Sequence, residues 1–480
     1  MSRTTNFVIG AAVVAVAIGG VGYWWRMRAI GRAEWQATCP REPHWSTSAS
    51  PELQQRIQKA GTEAAAQIGD VQALGELARL YLANGYEHEA EQSLRGLVKY
   101  DPQNPHWDHY LATLVAGYGR LDEAIALWQR TVRLDGHYRP AKLKLAEAML
   151  KTNRMAEAAK LFGEILAEDP NEVYALLGLA QVEIQEGRWS AAREHLETAV
   201  AADPLFSAGW ALLATVADRL GDAATSEQAR GKANVLGRFK DVTDPWMDEL
   251  VDDCYDAYRL QVIASTISAT GGAERAIPIL ERAIQVAPKD SRPHRQLGKL
   301  EVTLHQNDQA REQFEKAIAL RPDDPFAYID LVGLYRTSGD VSAALRLLNE
   351  AVAHCPNAEG VQLEMGLALM AAGRVGEALP YLQKAVELAP DNPTNYEELA
   401  KAQFRLNDQP GGAATVKIGL ERAPENAGLL ATRARFEVET GDEGNAEADF
   451  RRARKADPNE PMLPQVARAF EKKFGRNLGR

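Results

Sequence analysis

Residues 359–392 read EGVQLEMGLALMAAGRVGEALPYLQKAVELAPDN, and this stretch decides the fold. Its eighth and twentieth residues, Gly366 and Ala378, are small enough to let two antiparallel helices approach closely. Leu382, four places after Ala378, fills the space between those helices. Ala-Gly373 makes the turn between them, where glycine accepts left-handed backbone angles, and Pro390 stops the second helix.

Working outward, the same punctuation recurs at Tyr100-Asp-Pro102, Glu168-Asp-Pro170, Ala202-Asp-Pro204, Val286-Ala-Pro288, Leu320-Arg-Pro322, His354-Cys-Pro356, Arg422-Ala-Pro424 and Ala456-Asp-Pro458. Most neighbours stand 34 residues apart, and Gly136 fills the vacant place in the 68-residue gap from Pro102 to Pro170. The register gives five contiguous units over 71–240 and six over 257–460. Ala78, Ala112, Ala146 and Ala180 repeat the eighth position, and Ala90, Ala124, Ala158 and Ala192 the twentieth. Trp128, Phe162, Phe314 and Phe450 are the large residues four places on. Unit five has Arg238 where the proline belongs, and Gly411-Gly412 is expected to loosen unit ten. No such unit buries its apolar face alone, so the array must stack and be capped. Residues 51–70 read as a capping helix before it and residues 461–480 as one after it.

Leu-Gly or Leu-Ala at the seventh and eighth positions, Tyr81 or Tyr335 at the eleventh, the alanines and the closing proline resemble the tetratricopeptide repeat over about four-fifths of the chain. The resemblance implies an all-α, right-handed superhelical solenoid of about eleven helix pairs that binds proteins or peptides. It also implies a concave groove lined by the second, fifth, ninth, twelfth and thirteenth residues of each first helix. On this chain those positions supply Arg292, Arg295, Lys299, Phe326 and Arg336, then Lys401, Phe404 and Arg405, besides His106 and His109 in unit two. The basic and aromatic stretch Arg292–Arg336 is expected to take an acidic peptide, the chain's own residues 241–256 being one candidate. The Lys and Asn pattern of the family's carboxylate clamp is absent, so the resemblance does not extend to chaperone tails.

Residues 241–256, DVTDPWMDELVDDCYD, break the spacing between units five and six. Seven acids surround Trp246, Met247, Leu250 and Tyr255, and Asp244-Pro245 marks a helix start. The segment is either a hinge between two half-solenoids or a docking element for a partner or for the protein's own groove.

At the other end, Phe7–Trp25 (FVIGAAVVAVAIGGVGYWW) carries no charge over 19 residues, a helix of about 28 Å and so close to a hydrocarbon core. Tyr23, Trp24 and Trp25 suit an aromatic belt, and Arg26, Arg28 and Arg32 follow. Residues 1–30 are therefore expected to be an uncleaved membrane anchor and residues 31–50 a tether. The expected place is a bacterial inner membrane with a periplasmic body. A cytosolic body stays open, because Arg3 and the amino terminus nearly balance the three arginines.

The net charge of −11 argues against a nucleic-acid partner, which needs a concentrated positive face. Three dispersed cysteines, Cys39, Cys254 and Cys355, give no metal or haem spacing, and no phosphate loop, nucleophile elbow or zinc-protease motif is present. No cofactor and no enzymatic activity are expected. The expected role is a membrane-anchored scaffold in assembly of a bacterial envelope complex. A receptor for client chains, or a regulatory subunit gated by 241–256, is the alternative.

Overall fold

A computed structural model describes residues 31–45, 49–236, 242–269 and 272–478, which form helices joined by turns and short loops, with no strand among them. The chain divides into two compact units, residues 1–288 and 289–480.

In the first unit, Val71–Ala83 pairs with Glu87–Tyr100, Pro105–Gly117 with Leu121–Leu134, Arg139–Lys151 with Met155–Glu168, Val173–Gln185 with Trp189–Ala202, and Ser207–Leu220 with Ala223–Leu236. A sixth pair, Ala257–Ala269 and Ala273–Val286, closes it. The second unit holds Ser291–Thr303 with Asn307–Leu320, Pro325–Ser338 with Val341–His354, Glu359–Ala371 with Val375–Leu388, Pro393–Arg405 with Gln409–Arg422, and Ala427–Thr440 with Glu443–Ala456.

The turns repeat one backbone device. Gly85, Gly119, Gly187, Gly221, Gly339, Gly373 and Gly441 all take positive φ, and Asn153, His305 and Asn407 take it where glycine is missing. Asparagine tolerates that region; histidine does so at a cost. The helix contacts follow the small-residue reading. Ala78, Ala112, Ala146, Ala90, Ala124 and Ala158 are fully buried, and a Cβ on Gly298 would stand 2.7 Å from the Phe314 ring.

Gly412 corrects the expectation of a loosened unit ten. A Cβ there would run into the Phe404 ring, so the glycine makes room for that ring. Phe404 in turn stacks on Phe436 at 4.6 Å and 10°.

The tether expectation is corrected too. Trp35 is fully buried, its Nε1 donates to the Ala64 carbonyl at 2.7 Å, and its ring meets Tyr100 edge-on at 5.0 Å. Gln92 donates to the Ala37 carbonyl at 2.6 Å, and Lys99 pairs with Glu34 at 2.7 Å. Residues 31–45 thus pack on the helix Pro51–Ala66 and on the first repeat. That helix buries Leu53, Ile57, Ala60 and Ala64. At the other end Leu463–Phe474 buries Leu463, Val466 and Phe470 against the last repeat.

The apolar stretch Phe7–Trp25 lies outside the described residues. Among the described residues no helix is long and apolar enough to cross a membrane.

Candidate protein-binding groove

Asp244 caps a single helical turn, Pro245–Asp248, which runs on as a 3-10 turn over Glu249–Val251. This segment lies across the first helices of repeats one to three as a strap. The Trp246 indole is sandwiched there, stacked on Tyr138 at 3.5 Å and 7° and on His106 at 3.9 Å and 25°. His109 meets the same indole edge-on at 5.5 Å. Stacking on both faces gives an aromatic anchor energy beyond its buried area.

The polar atoms of the strap are read as closely. The Asp244 carboxylate sits 2.9 Å from His109 Nε2 and 3.7 Å from Lys144 Nζ, and accepts from the Tyr138 hydroxyl at 2.6 Å. A carboxylate only accepts, so His109 Nε2 carries a proton. The Tyr138 hydroxyl also accepts the Trp246 backbone N–H at 3.0 Å, and the Tyr110 hydroxyl donates to the Trp246 carbonyl at 2.9 Å. Burial raises the Asp244 carboxyl, but His109, Tyr138 and Lys144 outweigh it and hold the group below its ordinary value. Burial holds His106 below its ordinary value, with Glu249 opposing, and raises the Tyr110 and Tyr138 phenols, which stay protonated as donors.

Further along, Arg79 Nε donates to Asp253 at 2.9 Å, and Asn84 both donates to the Asp253 carbonyl at 2.8 Å and accepts from the Tyr255 N–H at 2.7 Å. Tyr255 lies between the Arg56 and Arg282 guanidinium groups, at 5.4 Å and 4.8 Å. Arg275 pairs with Asp248 at 2.9 Å. The strap therefore ties repeats one to three to the second helix of repeat six. Trp246, Leu250, Cys254 and Tyr255 are buried, while Met247 is half-buried. His106 and His109 are both engaged by the strap, and among the described residues no group of three or more His, Cys, Asp or Glu could hold a metal ion.

The second unit carries the other expected groove residues. Arg292 pairs with Asp290 at 2.7 Å, Arg295 with Asp330 at 3.5 Å, and Arg336 with Glu364 at 2.9 Å. Arg295 also lies over the exposed Phe326 ring at 5.2 Å. Burial raises the Asp330 carboxyl, and Lys299 and Arg295 oppose it. The positive charge of Arg292–Arg336 is thus largely met by neighbouring acids, and the acidic segment offered as its ligand is seated on repeats one to three instead. Between repeat ten, repeat eleven and the C-terminal helix, Lys401, Phe404, Arg405, Phe436, Met462 and Gln465 line one recess. Lys401 is held by Glu397 and Glu398, while Arg405 is exposed.

Tetratricopeptide-repeat models match residues 71–104, 116–172, 153–216, 295–360, 329–393 and 363–427, together more than half of the chain. The chain belongs to the tetratricopeptide-repeat family. Cellulose synthase operon protein C of Pseudomonas fluorescens (strain SBW25) is 24% identical over 327 residues, 58% of this chain and 25% of that protein. BBSome complex member BBS4 of Bos taurus is 26% identical over 153 residues, 32% of this chain and 28% of that one. This tetratricopeptide-repeat chain thus spans less than a third of either relative's length. Among solved structures, yeast Tom70 is similar at 14% identity and a TM-score of 0.35, over 84% of this chain and 95% of its own. Pseudomonas aeruginosa PilF is similar at 18% identity and a TM-score of 0.37, over 45% of this chain and 97% of its own.

In tetratricopeptide-repeat terms, Arg79, His106 and His109 occupy ninth, second and fifth positions, all groove places. Sequence reasoning named both histidines but missed Tyr138, Lys144, Tyr110 and Asn84, which lie off the standard positions. One signal was present. The seven-acid insertion needed cations, and Arg79 and Lys144 stand within the first three repeats.

Proposed function

We propose that this protein is a non-enzymatic tetratricopeptide-repeat scaffold, held at a membrane by residues 7–25, that gathers protein components during assembly of a bacterial envelope complex. The observation that carries this reading is the strap. The groove of repeats one to three already holds a peptide segment through an aromatic sandwich and a fully engaged carboxylate, the chemistry of protein recognition. The resemblance to cellulose synthase operon protein C supports the assembly role. The apolar stretch Phe7–Trp25 supports the anchor, and the packed segment 31–45 then leaves little slack between the anchor and the first repeat.

A regulatory version is favoured by the same strap, since a filled groove is closed to a partner until the strap leaves. Protease protection in intact cells and in permeabilised spheroplasts, followed by cross-linking, tests the proposal. Digestion on opening the outer layer, with envelope-assembly proteins cross-linked to the repeats, is the expected result. A body released from membranes by salt, or cross-links confined to soluble metabolic enzymes, would overturn it.

A further inference from the structure

We propose that the seat filled by Asp244 and Trp246 is an exchangeable recognition site for an Asp-Pro-Trp segment of a partner protein, an inference that rests on the scaffold reading above. The seat has three parts, each with a defined chemistry. His109, Tyr138 and Lys144 converge on one carboxylate. Tyr138 and His106 form a slot one indole wide. Arg79 and Asn84 take a second carboxylate and its backbone nine residues further on, at Asp253.

The strap fits this seat imperfectly. Glu249 and Asp252 are exposed and have no ion pair among the described residues. With Asp253 they border a cavity whose other walls are Arg79, Asn104, His106, Trp107 and Tyr110. Among the described residues Arg79 is the one Lys or Arg on that cavity, and it is already paired with Asp253. Asp248 and Asp253 are each met by one guanidinium, while Glu249 and Asp252 add unpaired like charge beside them. A partner segment with the same Asp-Pro-Trp head and neutral residues at the two unpaired places would keep every contact and shed that repulsion. The seat also survives being emptied: Arg79, His106, Tyr138 and Lys144 each present a polar end that water can satisfy. The occupant is thus an acidic-aromatic peptide of another protein, and the strap is its weaker internal substitute.

The probe is a synthetic peptide of residues 242–256 carrying Cys254→Ser, Glu249→Gln and Asp252→Asn, labelled for fluorescence anisotropy. It is titrated into the full chain and into the full-length variants Trp246→Ala and Asp244→Asn, whose own straps are weakened. Both variants are expected to bind at least about tenfold more tightly than the unaltered chain, since a larger fraction of their seats is vacant. A peptide lacking its tryptophan is expected to bind none of them. Circular dichroism checks that the variants stay helical, and Asp244→Asn serves alone if Trp246→Ala unfolds. Equal affinity in all three chains, or binding to none, makes the strap a permanent staple and overturns the proposal. A concentration-dependent dimer that the peptide dissolves makes the occupant a second copy and overturns the partner assignment. If the unaltered chain and both variants still cross-link to envelope proteins while the peptide fails to bind, the scaffold reading stands without this seat.

Discussion

At the scale of residues, Tyr138 joins the two halves of the strap contact. Its ring carries the indole, and its hydroxyl accepts from the Trp246 N–H while donating to Asp244. Tyr138→Phe keeps the stacking surface and strands a buried amide and a carboxylate, a loss of about 1–3 kcal/mol. Cys254 offers the reporter, because it is a buried residue of the strap itself. In a Cys39→Ser, Cys355→Ser background, labelling of Cys254 by dithiodipyridine is expected to be about tenfold faster in Tyr138→Phe, as 1.4 kcal/mol is one decade. The same assay has a defined pH dependence. The Asp244 carboxyl titrates below its ordinary 3.8 in the folded chain, so folding is favoured while it is ionised. That stabilisation is complete above 3.8 and is lost as the pH falls through the depressed folded value. Strap opening, corrected for the intrinsic labelling rate, is therefore expected to rise first as the pH falls below the ordinary imidazole value of 6.5, because His106 is protonated more readily once uncovered, and to rise again below the carboxylate range. Asp244→Asn should remove the second rise and leave the first.

At the scale of elements, the fold was legible because its signals are local. A proline follows nine of the eleven second helices, and small residues mark each crossing, so the helix pairs can be read without knowing what they stack on. What escaped the sequence depends on partners far along the chain. Trp35 bonds to Ala64, 29 positions away, and no local pattern distinguishes that buried indole from one on a loose tether. Gly412 misled for the same reason, since its meaning lies in the Phe404 ring above it. The two kinds of helical glycine should respond oppositely to one change. Gly412→Ala drives a methyl into Phe404 and disturbs its stack on Phe436, costing about 1–3 kcal/mol. Gly163 sits inside the helix Met155–Glu168 with open space where a Cβ would go, so Gly163→Ala should gain roughly 0.5–1 kcal/mol. Thermal unfolding of the two variants checks both signs, and equal shifts would count against the packing described for repeat ten.

At the scale of the whole molecule, a tetratricopeptide array gains stability from nearest neighbours, so its end repeats ordinarily fray independently of the middle. The strap changes this for repeats one to six. Asp253 is bound by Arg79 of repeat one, Asp244 by His109 of repeat two, and Asp248 by Arg275 of repeat six. The Arg259 guanidinium, on the first helix of repeat six, lies against Gly85 in the turn of repeat one. The Arg79–Asp253 contact joins residues 174 positions apart and the His109–Asp244 contact residues 135 apart, and the repeats they connect cannot open one at a time without breaking them. Hydrogen exchange on the full chain is expected to find the helices Val71–Ala83 and Ala257–Ala269 opening with a single free energy and a shared denaturant dependence. With Trp246→Ala the coupling should vanish. Repeat one then exchanges faster by at least about tenfold, as a frayed end, while repeats three and four keep their protection. Independent exchange of those two helices in the unaltered chain would mean that the strap rests on the groove without binding the repeats together. In that case the strap would fill the groove without stapling the array, and a partner could displace it without loosening repeat one.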